Sequence, residues 1–202
     1  MVSARKVVME EEDWFEIVLP AAKLRSLSEE EMGRVIKALT CAVGKDPRIE
    51  YLGAGQPPFQ DFLLIVLEES ENLEQLKPDF EALVSEIRVQ ARCLPRLMSP
   101  MNLEHRKTLA SQSTSSQLIP QVGNIQRITS LECSPASRVN EDHVCGTANC
   151  TMGPYWAAKK GVTELKARQV SQRGGKLRVG MDRNKIRVRG QVKVTGVGHL
   201  LL

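Results

Sequence analysis

Apolar positions in the N-terminal part of the chain recur first with the period of a strand and then with that of a helix. Residues 14–19 (WFEIVL) end at Pro20 and predict a short strand. After Ser28, apolar residues follow at helical spacing, and Glu31 stands at the position of a capping box. We therefore predict a helix that begins after Ser28 and ends near Gly44.

Two strands and a second helix are expected next along the chain. Residues 48–52 (RIEYL) alternate between polar and apolar, and residues 62–67 (FLLIVL) form an apolar run with the length of a buried strand. Over residues 73–87 the apolar positions share one side of a helix, and Pro78 would stand near its start.

The stretch from residue 93 to residue 130 has little periodicity. It contains three prolines and the polar run SQSTSSQ over residues 111–117. A structureless connection of this length is uncommon inside a compact domain. We expect an irregular segment or mobile loop here, with weak strand character at residues 124–129.

Order returns with a helix predicted over residues 147–161, closed by the signal Lys159-Lys160-Gly161. Pro154 lies inside it and should bend it or loosen its first turn. Antiparallel strands are predicted after it at residues 165–170, 176–181, 185–189, 191–195 and 198–202. Within residues 185–189 basic and apolar residues alternate, which predicts one core face and a row of cations in water.

Composition limits the classes of protein that the chain can belong to. It has 202 residues, 42% of them hydrophobic and 26% charged, which suits one domain with a sizeable core. No run approaches the ~20 apolar residues that cross a membrane, and the charged N-terminus does not resemble a secretory signal. The five cysteines form no CxxC pair, so we expect reduced thiols, a cytoplasmic location and no metal.

Charge is divided unevenly between the two halves. Residues 1–100 hold 12 Lys/Arg against 18 Asp/Glu, and residues 101–202 hold 16 against 6. Such a basic half can bind nucleic acid or simply be a solvated face. Strands that bind single-stranded RNA usually offer exposed aromatic rings, and no aromatic residue follows Trp156. We therefore expect no nucleic-acid partner.

The segment NEDHVCGTANC at residues 140–150 carries candidate chemistry. The start of a helix offers unpaired N–H groups to an anion, and Gly146 would let a ligand approach the backbone. Thr147 could cap the helix or donate to the ligand, Asp142 could move a proton, and Cys145 could be an acid–base thiol. The alternative is structural, with a carboxylate that caps the helix and a small residue and a thiol that pack.

Residues 140–147, with 153–161 (GPYWAAKKG) after them, resemble the PhzF phenazine-biosynthesis-like isomerases, whose pattern there is NEDPVCGSAHC followed by PYW. The likeness continues through residues 165–177 (LKARQVSQRGGKL) and is specific over residues 139–202. Residues 15–20 and 76–80 match more loosely.

The resemblance implies a role for each residue of the segment. Asp142 matches the family's active-site aspartate, and Cys145 matches an acid–base cysteine of the related epimerases. Gly146 and Thr147 match a Gly-Ser pair that holds substrate, and Ala148 beside them is a third substrate-binding candidate. The catalytic set would be Asp142, Thr147 and Cys145.

The resemblance also implies a fold and a reaction. The fold class is α+β, one half of a diaminopimelate epimerase-like fold, in which a curved antiparallel sheet or barrel wraps around a central helix. Family members are usually cytoplasmic homodimers without cofactor or metal, and one isomerises a dihydro-hydroxyanthranilate by moving a proton. The expected ligand is a small anionic metabolite.

The chain also departs from the family pattern. No counterpart of the family's first half, which carries a catalytic glutamate, precedes Trp14. We therefore expect residues 1–20 to be a remnant of that half with a crossover strand. Residues 21–202 would be the C-terminal domain, with the irregular segment at about 93–130. His143 and Asn149 stand where the family has proline and histidine.

Three functions remain open on these grounds. The first is a PhzF-like isomerase that is impaired by the missing glutamate. The second is a non-catalytic half-domain that pairs with itself or with a full-length relative. The third, the least favoured, is a basic nucleic-acid module.

Overall fold

The computed structural model describes residues 3–9, 12–60, 62–68, 70–73, 75–83, 112–119, 126–133, 142 and 144–192. In these residues ten strands form one sheet, and two long helices pack against it. The strands are β1 (Ser3–Met9), β2 (Glu12–Pro20), β3 (Leu24–Ser26), β4 (Ile49–Gly55), β5 (Phe62–Leu67), β6 (Gln112–Ile119), β7 (Gln126–Cys133), β8 (Glu164–Gln169), β9 (Gly175–Asp182) and β10 (Lys185–Gln191). The helices are α1 (Glu29–Val43) and α2 (Asn149–Lys160).

The sheet is mostly antiparallel. Its strand order is β1-β2-β10-β9-β8-β7-β6-β5-β4-β3, with parallel pairing only between β5 and β6 and between β7 and β8. Among the described strands, β1 and β3 therefore lie at the two edges of an open sheet.

The sheet curves around α2. This helix contacts β8, β9 and β10 and also β5, which lies five strands away from β10. Neighbouring strands are about 4.8 Å apart, and a helix with its side chains is about 10 Å wide. One helix can touch both β10 and β5 only if the sheet bends around it. The expected fold, a curved antiparallel sheet around a central helix, is confirmed.

Strand β5 explains the uninterrupted apolar run in the sequence. Leu64 and Val66 pack in the cluster around α2, whereas Ile65 and Leu67 pack on the opposite face with Leu39 and its neighbours in α1. Because both faces of β5 are covered, its positions do not alternate between polar and apolar.

Helix α1 begins and ends where the sequence predicts. The hydroxyl of Ser28 accepts a hydrogen bond from the N–H of Glu31, and the Glu31 carboxylate accepts one from the N–H of Ser28. At the other end Gly44 adopts a φ of 74°, a left-handed conformation that favours glycine.

Pro154 leaves a carbonyl in α2 without a helical donor, because proline has no N–H. That carbonyl belongs to Cys150, and it accepts a 2.8 Å hydrogen bond from the N–H of Ala22, just after β2. The helix is thereby joined to the chain beside β2, and it runs on to the predicted C-cap at Gly161.

Two predictions of secondary structure are corrected. Residues 75–79 are not helical, because the Asp79 carboxylate accepts hydrogen bonds from the N–H groups of Glu81 and Ala82 and starts the helical turn at residues 80–83. Residues 112–119, predicted as part of an irregular segment, form β6, because β5 and β7 supply backbone partners on both sides.

Other predictions are confirmed in part or fall outside the described residues. The strand expected at residues 124–129 is β7, shifted towards the C-terminus. Residues 84–87, 93–111, 120–125 and 193–202, which include most of two predicted strands, are outside the described residues.

The basic face of β10 differs from the expected row of solvated cations. Ile186 and Val188 are buried as predicted, but Arg189 is largely buried as well. Its guanidinium donates to the carboxylate of Glu16 on β2, and that carboxylate also pairs with Arg5 on β1. Part of the basic face, at Arg189, is therefore buried by pairing with a carboxylate of another strand.

Neither long helix of the described structure has the length and apolar character needed to cross a membrane.

Candidate functional site

The described part of the candidate segment before α2, Asp142 and residues 144–148, leads into that helix and is held at the end of β8. The side-chain amide of Gln169, the last residue of β8, holds this loop at two points. Its oxygen accepts a 2.9 Å hydrogen bond from the N–H of Cys145, and its nitrogen donates to the carbonyl of Asp142. The two ends of residues 142–145 are thus fixed by one buried side chain.

Cys145 and Thr147 contact each other directly. The Cys145 thiol is buried, and its Sγ lies 3.1 Å from the Thr147 hydroxyl. Thr147 does not cap α2, because the N-cap position is Ala148 and no side chain caps the helix there. The capping role predicted for Thr147 is therefore wrong, and its hydroxyl faces the thiol instead.

Successive backbone donors meet at the start of α2. The carbonyls of Gly146 and Thr147 accept hydrogen bonds from the first turn of the helix, at Asn149 and Cys150. For the N–H groups of Gly146, Thr147 and Ala148, in contrast, the described part of the chain provides no acceptor. Together with the positive end of the helix dipole, these donors form a corner suited to a carboxylate.

Asn149 stabilises the backbone at the start of α2. Its side chain is buried, and its amide nitrogen donates a 2.9 Å hydrogen bond to the carbonyl of Cys145. Its amide oxygen is buried without a hydrogen-bond partner among the described residues. This oxygen is therefore an acceptor that a ligand or a water molecule could use.

One glycine lets the loop lie close to the sheet. A Cβ on Gly175, the first residue of β9, would stand 1.9 Å from the Cγ2 of Val144, so the loop covers the space that a side chain would need. A Cβ on Gly146 would instead reach Ile17 at 3.4 Å, an ordinary contact distance. Space is therefore critical at Gly175, whereas the missing Cβ of Gly146 faces the side chains of the sheet.

The structure thus brings Asp142, Cys145, Gly146, Thr147 and Ala148 into one loop. It adds two residues that the sequence did not assign, Gln169 and Asn149. Gln169 belongs to the motif QVSQRGG that supports the family resemblance, but nothing in its neighbours along the chain points to a partner 27 residues away. In the described part of the chain, no three His, Cys, Asp or Glu residues form a cluster that could hold a metal ion.

Comparison with known proteins extends the likeness over the whole chain. The family model of the phenazine biosynthesis-like proteins matches residues 2–201. The expectation of a C-terminal half only is therefore wrong.

Two of the curated relatives are described as uncharacterised isomerases. One from Pseudomonas aeruginosa is 27% identical over 172 residues, which are 85% of this chain and 53% of the relative. Another from Halalkalibacterium halodurans is 41% identical over 68 residues, 34% of this chain and 26% of the relative. The chain thus spans about half the length of the longer match.

Two solved structures share the fold. A phenazine biosynthesis protein of the PhzF family from Enterococcus faecalis superimposes with a TM-score of 0.60 at 20% identity, covering 98% of this chain and 65% of that one. A putative PhzC/PhzF protein from Clostridium difficile gives 0.57 at 17% identity, with 94% and 58% covered. Both have the diaminopimelate epimerase-like fold.

Proposed function

The chain belongs to the phenazine biosynthesis-like protein family, and from that premise we propose that it acts in an isomerisation that moves a proton within a small carboxylic acid. The relatives described as isomerases support this reaction type. The proton leaves one carbon of the substrate and returns to another, so the reaction needs no oxidant and no cofactor. The proposed substrate is a small anionic metabolite.

One observation carries the proposal. The backbone N–H groups of Gly146, Thr147 and Ala148, which immediately precede α2, have no acceptor in the described structure. A substrate carboxylate bound there would satisfy donors that otherwise cost free energy.

Asp142 is the proposed group that moves the proton. Its backbone is held by Gln169, so the carboxylate starts from a fixed point of the loop. A general base must reach the proton that it removes, and a fixed backbone limits the positions that it can take. Thr147 and Cys145 are the proposed partners, and the Thr147 hydroxyl would donate to the substrate.

The test is proton exchange with solvent. We expect the protein to catalyse the incorporation of deuterium from deuterated water into a dihydro-hydroxyanthranilate, followed by NMR. Asp142→Asn should reduce the rate to that of buffer, because the amide cannot accept the proton. Asp182→Asn, an exposed change at the end of β9, should leave the rate unchanged.

If the protein and its Asp142→Asn variant both matched buffer alone, the proposal of catalysis by this chain would fail for this substrate. A second candidate function would then be favoured, namely binding of the acid without turnover. Burial of the Cys145 thiol supports it, since Asp142 is left as the single carboxylate in the described part of residues 140–148.

We also propose that the acting unit is a homodimer and that it works in the cytoplasm. The support for both is the family resemblance. Light scattering of the full chain tests the first, with a mass near twice 22.5 kDa expected, and fractionation of the source cells tests the second.

A further inference from the structure

A shallow pocket of about 410 Å³ lies at the turn that joins β8 to β9, directly beside the candidate loop. Residues 168–176 line it. Its volume is in the range that holds a small molecule or one end of it. Nothing in the proposed reaction uses this pocket.

The lining is strongly cationic. It includes Arg168, Arg173 and Lys176, all three exposed to solvent, and residues 168–176 contain no aspartate or glutamate. Arginine can bind a carboxylate or a phosphate with two parallel hydrogen bonds, and lysine adds a point charge. The chemistry of the wall therefore favours an anion.

The register of the two strands places like charges opposite each other. Arg168 on β8 pairs directly with Lys176 on β9. Like charges at directly opposite positions of an antiparallel pair destabilise it. An anion bound beside them would reduce this repulsion.

The pocket shares its wall with the candidate site. Gln169 lines the pocket and holds the loop at Asp142 and Cys145. Gly175 also lines the pocket, and Val144 of the loop packs on it. A molecule bound at the start of α2 could therefore place a second group in the pocket.

We infer that the β8–β9 pocket binds a second acidic group, carboxylate or phosphate, of the anionic metabolite whose first carboxylate lies at α2. That this ligand is the substrate rests on the proposed function. That the pocket holds an anion does not, since the cations, the register and the cavity are properties of the described chain.

The test measures anion binding without turnover. The full chain is titrated with pyrophosphate and separately with citrate, at an ionic strength held constant with sodium chloride, and the unfolding temperature is followed. A ligand that binds only the folded state raises that temperature in a saturable way, from which Kd follows. Tighter binding of pyrophosphate would identify a phosphate site, and tighter binding of citrate a carboxylate site.

Two double variants each replace one arginine and one lysine by glutamine, so they change the net charge equally and differ only in the position of the lost charges. Arg173→Gln with Lys176→Gln removes two charges from the pocket, and Arg183→Gln with Lys185→Gln removes two exposed charges from the next hairpin, at the other end of β9. We expect Kd to rise at least about tenfold in the first pair, because charge-assisted hydrogen bonds are lost. In the second pair it should stay within about twofold, because only long-range attraction is lost, and salt screens it.

Equal weakening in both pairs would show an effect of net charge and overturn the inference. The absence of any saturable rise in the unfolding temperature of the unmodified chain would overturn it too. Pyrophosphate binding that persists in Asp142→Asn while proton exchange is lost would support both proposals. If neither the unmodified chain nor any variant catalysed proton exchange, and pyrophosphate binding were lost only in the Arg173→Gln/Lys176→Gln variant, the proposed catalysis would be overturned and the anion pocket would be supported.

Discussion

Gln169 shows how one buried side chain can organise a site by holding its backbone. Its amide offers one acceptor and one donor face, and the loop takes both, at the N–H of Cys145 and the carbonyl of Asp142. The residue is almost fully buried, so water does not compete for these groups. Gln169 is therefore a positioning residue for Asp142.

Replacing Gln169 by leucine keeps much of the volume and removes both hydrogen bonds. Each buried backbone group left without a partner costs about 1–3 kcal/mol, so we expect a clear loss in the free energy of unfolding in urea. Gln172→Leu, an exposed change in the following turn, should alter it by less than about 0.5 kcal/mol. Equal losses in the two variants would contradict the role of Gln169.

A kinetic readout separates positioning from stability. If the proposed isomerisation is observed, Gln169→Leu should lower kcat more than it changes KM, because the α2 donors remain while Asp142 loses its anchor. An unchanged kcat would mean that the loop keeps its place without Gln169.

At the scale of the element, α1 is anchored by one carboxylate with three roles. Glu31 completes the capping box with Ser28, lies in the first turn of the helix, and accepts two 2.9 Å hydrogen bonds from the Arg25 guanidinium on β3. The hydrogen bonds from Arg25, followed by the backbone hydrogen bond from Ser28, lower the pKa of Glu31 from its usual 4.5 to about 2. The helix start and the edge strand are thereby linked.

This pKa shift predicts a pH dependence of stability. Because the pKa of Glu31 is lower in the folded than in the unfolded chain, its contribution is present above pH 4.5 and is lost as the pH falls towards about 2. Glu31→Gln should therefore lose less of its free energy of unfolding over this range than the unmodified chain. Glu29→Gln, exposed in the same helical turn, should follow the unmodified chain.

The urea midpoint at each pH gives this comparison. If Glu31→Gln and Glu29→Gln had parallel profiles between pH 4.5 and 2, the coupling of α1 to β3 through Glu31 would be refuted.

At the scale of the whole molecule, a buried carboxylate connects distant parts of the chain. Glu16 on β2 is 1% exposed and lies between Arg5 of β1, at 2.7 Å, and Arg189 of β10, at 2.6 Å. Burial by itself raises the pKa of Glu16, but the hydrogen bonds and charges of Arg189 and Arg5 outweigh it, and the net pKa is lowered. Arg189 also reaches Glu164 on β8, so four strands share one network.

Glu16→Gln should be among the costly substitutions in this chain. It leaves Arg189, 13% exposed, without its buried partner, and removing one member of a buried ion pair typically costs about 3–5 kcal/mol. Glu164→Gln removes the exposed partner of the same arginine and should cost less than about 1 kcal/mol. Urea unfolding of the two variants makes the comparison, and similar costs would contradict the assignment of Glu16 as the central group.

Local signals account for the elements that the sequence predicts well. The capping box at Ser28, the apolar run of β5 and the Lys-Lys-Gly end of α2 each act over a few neighbouring residues. Their physical causes are hydrogen bonds within a turn and the burial of one strand. In each case the residues responsible are neighbours in the sequence, so the sequence pattern alone shows them. The loop at residues 142–148 belongs to this class, since its residue types stand side by side in the sequence.

Tertiary structure decided what depends on residues far apart in the chain. The serine-rich β6 is a strand because β5 and β7 flank it, and Arg189 is buried because Glu16, 173 residues earlier, lies directly opposite it on the neighbouring strand β2. The anchoring of the loop by Gln169 and the facing charges of the β8–β9 pocket likewise follow from register. A strand's own sequence states which faces it has, but the partner that each face meets is set by pairing over the whole sheet.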